Sequence, residues 1–124
     1  MKAILLALVL AAAASAAVAA QNPTFNGKYK IHTSIAGNDS DMTCTFTQKA
    51  ADLAGSCQSD QQGAIQLTGK IDGKKANWSY KSDYNGSPLT VRYEAVVDDP
   101  AKFSGTTVVE EFGVSGDFTA VLAN

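Results

Sequence analysis

Turn-forming residues recur about every ten residues along this chain, and between them apolar and polar side chains alternate. The strongest turn signals are Gly37-Asn38-Asp39-Ser40, Asp72-Gly73, Asn85-Gly86 and Asp98-Asp99-Pro100. Asn-Gly and Asp-Gly favour tight primed turns, because the central residues take positive φ. No segment between these turns keeps a helical period. Alternation broken at hairpin turns predicts strands with one buried face, folded back on their neighbours.

The turns and the alternation can be checked against each other. A loop at Asp72-Gly73 sets Gly69 opposite Ala76, Leu67 opposite Trp78 and Ile65 opposite Tyr80. A loop at Asn85-Gly86 sets Leu89 opposite Ser82, Val91 opposite Tyr80 and Tyr93 opposite Trp78. Directly opposed residues share a face of the sheet. Both turns therefore place Trp78 and Tyr80 on one apolar side, and a slip of one residue would turn that whole set into water. A loop at Ala50-Ala51 likewise brings Cys44 opposite Cys57, on the face of Met42, Phe46 and Leu53. The spacing predicts a cross-strand disulfide, which in the chain-entropy model stabilises by roughly 3 kcal/mol.

The expected strands lie near 27–35, 41–49, 52–59, 63–72, 74–83, 87–97, 102–110 and 113–122. Their inward face carries Tyr29, Ile31, Met42, Phe46, Leu53, Ile65, Leu67, Ile71, Trp78, Tyr80, Leu89, Val91, Tyr93, Phe103, Val109, Phe118 and Leu122. Gly55, Gly69, Ala76 and Ala95 share that face, where they would leave space or permit bends. An open meander would leave both end strands unpaired, so the first is expected to close on the last. The fold class is all-β: one eight-stranded antiparallel up-and-down barrel over residues 21–124, preceded by a signal peptide over 1–20.

That leader is read from Met1-Lys2, the apolar run from Ala3 to about Ala16, and the small residues Ala17-Val18-Ala19-Ala20 before Gln21-Asn22-Pro23. It predicts export to a periplasmic or extracellular location, where a disulfide is permitted. Without Lys2, nine basic residues face twelve acidic ones, scattered singly. There is no basic stripe, so nucleic acid and anionic membrane surfaces are poor partners. An outer-membrane barrel would turn its apolar face to lipid. Here that face includes Gly55, Gly69, Ala76 and Ala95, a poor lipid band, so stable membrane insertion is not expected and a small outer-membrane barrel is kept only as a minor alternative.

Several glycine-punctuated pieces occur in order along the chain. They are Gly27-Lys28-Tyr29, Leu53-Ala54-Gly55, Gly69-Lys70-Ile71-Asp72-Gly73 with Trp78, Gly86 with Leu89, Ser104-Gly105-Thr106 and Phe112-Gly113-Val114-Ser115-Gly116-Asp117-Phe118-Thr119-Ala120. This pattern resembles small secreted bacterial barrel domains of lipocalin- or avidin-like architecture. The resemblance implies the fold and an envelope location. It carries no binding residue across, since Tyr29 stands where lipocalins show Trp and the loops that wall an avidin biotin site are missing.

Catalysis is hard to build from these residues. His32 alternates onto the polar face with Lys28, Lys30 and Ser34, and a paired Cys44 and Cys57 leave no thiol nucleophile. Asn38-Asp39-Ser40-Asp41 reads as an Asx-type turn rather than a calcium loop, and Asp98-Asp99-Pro100 as a turn rather than an acid–base pair. Two cysteines and one histidine fall short of a zinc shell. The sequons at Asn38, Asn77 and Asn85 read as chance. No enzyme activity, metal or cofactor is expected. The inward Tyr29, Trp78, Tyr80 and Tyr93 each pair an apolar ring with a polar atom that needs a partner. An eight-stranded barrel is just wide enough to fill itself or to hold one small molecule. These four residues are the candidate ligand-binding set, for a small apolar or amphipathic guest. The alternative is a filled core in a structural or protein-interaction domain of the envelope.

Overall fold

The computed structural model describes residues 25–60 and 62–123; the expected signal peptide lies outside them. Eight strands follow one another: β1 (Gly27–Ile35), β2 (Asn38–Lys49), β3 (Asp52–Ser59), β4 (Gln62–Asp72), β5 (Lys75–Tyr84), β6 (Ser87–Val96), β7 (Lys102–Val109) and β8 (Val114–Leu122). Each pairs antiparallel with the next, and β1 pairs with β8 from Tyr29↔Leu122 to Ile35↔Gly116, so the barrel is closed and has no free edge strand. Closure arises as the alternation requires. Burial along β1 changes from residue to residue, with Tyr29, Ile31 and Thr33 buried between exposed Lys28, Lys30 and His32.

All described Asp, Glu, Lys and Arg residues, and His32, are exposed on the outside or in the connections. This is the reverse of a wall built to face lipid. Among the described residues no helix is long and apolar enough to cross a membrane.

Two of the expected hairpins match the register residue for residue. Trp78↔Tyr93, Tyr80↔Val91 and Ser82↔Leu89 pair across the Asn85-Gly86 turn, where both residues take positive φ (52° and 84°). Cys44↔Cys57, Phe46↔Gly55 and Gln48↔Leu53 pair across Ala50-Ala51, and Cys44 and Cys57 form the disulfide.

Two turns fall elsewhere. The β4–β5 loop is Gly73-Lys74, so Leu67 faces Tyr80, Gly69 faces Trp78 and Ile71 faces Ala76. Gly73 takes φ 61° as the first central residue of the turn, the position that a type II′ hairpin gives to glycine. The shift is two places in pairing, so every side chain keeps its face. The first turn is Ala36-Gly37 (φ 52° and 82°), and Asn38–Asp41 is strand rather than turn, pairing with His32–Ile35. Those polar residues imitate a loop in composition because they form the outer, wet start of β2.

The core differs from expectation at a few positions. Leu122, at the end of β8, is exposed rather than inward. Phe25, Val97, Ala120, Thr33 and Thr107 are buried and were not in the expected inward set. Gly55 and Gly69 do not leave space inside. A Cβ on Gly55 would lie 1.9 Å from the Thr45 carbonyl oxygen, and one on Gly69 would lie 2.0 Å from that of Asn77. At these points the neighbouring strand's backbone fills the volume, and the missing Cβ lets the sheet bend into a cylinder.

Candidate functional site

The two ends of the barrel are finished differently. At the end where the β2–β3, β4–β5 and β6–β7 connections lie, the chain before β1 folds into the opening. The Phe25 N–H donates to Gln48 Oε1 (3.0 Å) and the Gln48 N–H to Asn26 Oδ1 (3.1 Å). Phe25 is fully buried against Tyr29, Phe46 and Phe103, with ring centroids 5.4 to 6.0 Å away. This end is sealed by an aromatic plug.

At the other end the β7–β8 connection reaches past β6 and packs Phe112 against Tyr84, the last residue of β5. Five apolar side chains stand there half-buried: Ile35 at the end of β1, Met42 near the start of β2, Ile65 on β4, Leu89 on β6 and Val114 at the start of β8. They form an apolar rim. The wall is also split beside Ile65. The β4–β5 ladder stops at Leu67↔Tyr80, although β4 starts at Gln62 and β5 runs on to Tyr84. A cleft of about 400 Å³ lies in that split, lined by Gly63, Ala64, Ile65, Lys81, Ser82 and Asp83.

The structure brings together three of the four candidate residues. The Trp78 and Tyr93 rings stack at 5.3 Å, 11° from parallel, and the Tyr80 ring lies 5.9 Å from that of Tyr93. The Tyr80 and Tyr93 hydroxyls share a hydrogen bond of 3.1 Å, and the Tyr80 hydroxyl approaches Met42 Sδ at 3.7 Å. Burial, first, and the neighbouring Tyr93 push the Tyr80 phenol far above its ordinary value, so it remains a neutral donor. Tyr29 is set apart. It belongs to the aromatic plug, and its hydroxyl donates to the Pro100 carbonyl (2.7 Å).

Three buried polar atoms have no hydrogen-bond partner among the described residues: Trp78 Nε1, Thr33 Oγ1 and Thr107 Oγ1. An unpaired buried polar group costs roughly 1–3 kcal/mol, so three in one interior call for an explanation. The two threonines escaped the sequence analysis because an inward Thr within an alternating strand carries no signal in its spacing.

The outer wall offers little chemistry. His32 Nδ1 lies 2.6 Å from Asp41 Oδ1, and that hydrogen bond raises the imidazole above its usual value. No described group of three or more His, Cys, Asp or Glu side chains is placed to hold a metal. Clefts of about 600 and 500 Å³ open on the outer wall, and Trp78, Tyr80 and Tyr93 line neither.

No protein-family model and no curated protein matches the chain. Among solved structures it is similar to a redesigned β-barrel, b11L5F_LGL, with TM-score 0.65 and 11% identity, over 86% of this chain and 100% of that one. It is also similar to another redesigned β-barrel, mFAP1, solved bound to DFHBI, with TM-score 0.55 and 15% identity, over 78% of this chain and 94% of that one. At these identities the likeness is one of fold: a small closed barrel of antiparallel strands.

Proposed function

We propose that this protein is a non-enzymatic, exported barrel that takes a small amphipathic molecule at its open end. The observation that carries the reading is the asymmetry of the two ends. One is plugged by Phe25, while the other presents a half-buried apolar rim of Ile35, Met42, Ile65, Leu89 and Val114 near the Tyr80–Tyr93 hydroxyl pair. An apolar opening with a few convergent polar groups beneath it is the usual form of a small-molecule site. The split between β4 and β5 gives a second way in from the side. That mFAP1, of similar fold, was solved bound to DFHBI supports a barrel of this size accepting a guest. Export follows from the leader-like first twenty residues and accords with the Cys44–Cys57 bond.

Trp78 is the sole tryptophan, so its emission reports the interior. Titrating the purified protein with a panel of lipids and aromatic metabolites is expected to shift that emission for at least one class. Leu89→Arg, at the rim, is expected to abolish the shift without unfolding the barrel. If no compound in the panel changes the emission or the melting temperature, ligand binding is removed as the function.

A second reading rests on a different observation. Tyr84 and Phe112 pack edge to face at 6.1 Å yet remain 58% and 55% exposed. Glu111 fixes the Phe112 loop by accepting the Thr90 N–H (2.6 Å) and hydroxyl (2.9 Å). An exposed aromatic pair, Tyr84 at the end of β5 and Phe112 on an anchored loop, suits a protein contact. Capture of an envelope partner lost on Tyr84→Ser with Phe112→Ser would favour this reading.

A further inference from the structure

We infer that the end of the β5–β6 hairpin, Lys81 to Thr90, is a flap that gates the barrel's interior, hinged where Tyr80 pairs with Val91 and latched to the β7–β8 connection through Glu111 and Phe112. The inference rests on the open-end reading above and adds how that end is opened.

The flap follows from where the ladders stop. β5 and β6 stay paired through Lys81↔Thr90, Ser82↔Leu89, Asp83↔Pro88 and Tyr84↔Ser87. The β4–β5 ladder has already ended at Leu67↔Tyr80, and the β6–β7 ladder at Val91↔Val109. The end of the hairpin therefore runs beyond both flanking ladders. On the β4 side, a register shift between Cys57 and Ser59 disturbs the β3–β4 pairing, and a bulge of this kind bends its strand. The cleft of about 400 Å³ lies in that gap, with Gly63, Ala64 and Ile65 on one bank and Lys81, Ser82 and Asp83 on the other. On the β7 side, the Thr90 carbonyl accepts the Glu110 N–H (3.0 Å) and the Thr90 N–H points outward to Glu111. Two residues nearer the tip, Pro88 presents the same flank and has no N–H, so it cannot extend that ladder.

The attachment that remains is a latch. Glu111 accepts the Thr90 N–H (2.6 Å) and hydroxyl (2.9 Å), and Phe112 meets the Tyr84 ring edge to face. The connection that carries the latch is itself held. The Phe112 and Gly113 N–H groups donate to the Val109 carbonyl (3.3 and 3.0 Å), and Glu110 pairs with Arg92, below the hinge. Lys81 Nζ donates to Thr90 Oγ1 (2.7 Å) and ties the two strands of the hairpin together at its base, so they move as one. A segment with so few outside contacts opens at lower cost than the closed wall beneath it. Leu89 is its inward apolar side chain and part of the rim. Lifting the flap withdraws Leu89 and widens the cleft beside Ile65.

Two variants release the latch independently. Phe112→Ala removes the ring contact, and Glu111→Ala removes the carboxylate. The Glu110 amide, bound to the Thr90 carbonyl, reports the join between flap and connection in both. Its hydrogen exchange, followed by NMR, is expected to quicken about tenfold in each variant while the amides of β2 and β3 keep their wild-type rates. Glu111→Gln keeps an acceptor oxygen and is expected to restore the protection. Uptake of N-phenyl-1-naphthylamine, an uncharged apolar dye, is expected to quicken by a similar factor in stopped flow, because entry scales with the open population. Unchanged Glu110 exchange in both alanine variants, or equal acceleration in β2 and β3, overturns the flap. Faster exchange with unchanged dye uptake overturns the gate and leaves open-end binding standing. Failure of the dye and of every compound in the panel above to bind overturns the open-end reading, and the gate with it.

Discussion

Trp78 on β5 and Tyr93 on β6 are directly opposed in the ladder and stack nearly parallel, 5.3 Å between centroids. Around this pair the Trp78 ring also meets Phe46, Phe103 and Phe118 edge-on, at 4.9 to 6.4 Å. The indole is thus the hub that joins the strands of opposite walls. Trp78→Ala is expected to destabilise by about 3–5 kcal/mol, since it removes both the buried surface and the filler of the barrel's middle. Trp78→Phe keeps an aromatic ring and removes the unpartnered N–H, so its cost should be well below that of the alanine variant. Urea unfolding followed by far-UV circular dichroism measures both.

The Cys44–Cys57 bond ties β2 to β3 with a sequence separation of 13. Both residues are fully buried, so alanine rather than serine is the fair replacement. The double variant Cys44→Ala with Cys57→Ala should lose roughly 3 kcal/mol of stability, the loop-closure contribution for a ring of this size. Reduction of the wild-type protein should lower its denaturation midpoint by a similar amount. A double variant as stable as the oxidised protein would show that the hairpin alone fixes these strands.

Gly69→Ala tests how the cylinder is bent. An added Cβ would stand 2.0 Å from the Asn77 carbonyl oxygen and 2.7 Å from the Trp78 Cα. Backbone on the opposing strand cannot give way as a flexible side chain can. The expected loss is at or above the top of the ~1–3 kcal/mol range for overpacked positions. Gly63→Ala is the control, because nothing lies within 4 Å of a Cβ built there. Its melting temperature should change little.

Hairpins were legible in the sequence wherever a turn pair and the alternation on both sides agreed, as at Asn85-Gly86 and Ala50-Ala51. Agreement on the face survived even where the loop moved, at Gly73-Lys74, because the shift was an even number of places. Asn38–Asp41 shows the limit of composition: a strand with no buried face at its start looks like a turn. The plug was invisible because Phe25 precedes β1, and no periodicity tells that a residue outside a strand folds back over the barrel's end. The candidate site was half legible for a related reason. Alternation assigns Tyr29 and Tyr80 to the same inward face, but height along the barrel axis depends on register around the whole ring. That height separates Tyr29, in the plug, from Tyr80, beneath the rim.

Two surface contacts titrate in opposite senses. Glu111 accepts the backbone N–H and the hydroxyl of Thr90, and chiefly that backbone hydrogen bond holds its carboxyl below the ordinary value of 4.5. A folded-state value below the unfolded one contributes stability above pH 4.5, lost as pH falls through the folded value. His32 is raised above 6.5, first by its hydrogen bond with Asp41. Its contribution is full below pH 6.5 and is lost as pH rises through the folded value. Melting temperature measured against pH should therefore lose part of its acid slope in Glu111→Gln and part of its slope above neutrality in His32→Gln. Unchanged profiles in both variants would mean that solvent screens these contacts completely.

Thr107 gives the sharpest test of how the interior is used. Its hydroxyl is fully buried and has no hydrogen-bond partner among the described residues, so the barrel bears the desolvation cost of that group without a compensating bond. Valine has the same shape and no hydroxyl. Thr107→Val should therefore raise the stability of the ligand-free protein by roughly 1 kcal/mol, contrary to the usual effect of a core substitution. A Thr107→Val protein that is less stable than the wild type would mean that the hydroxyl is already satisfied.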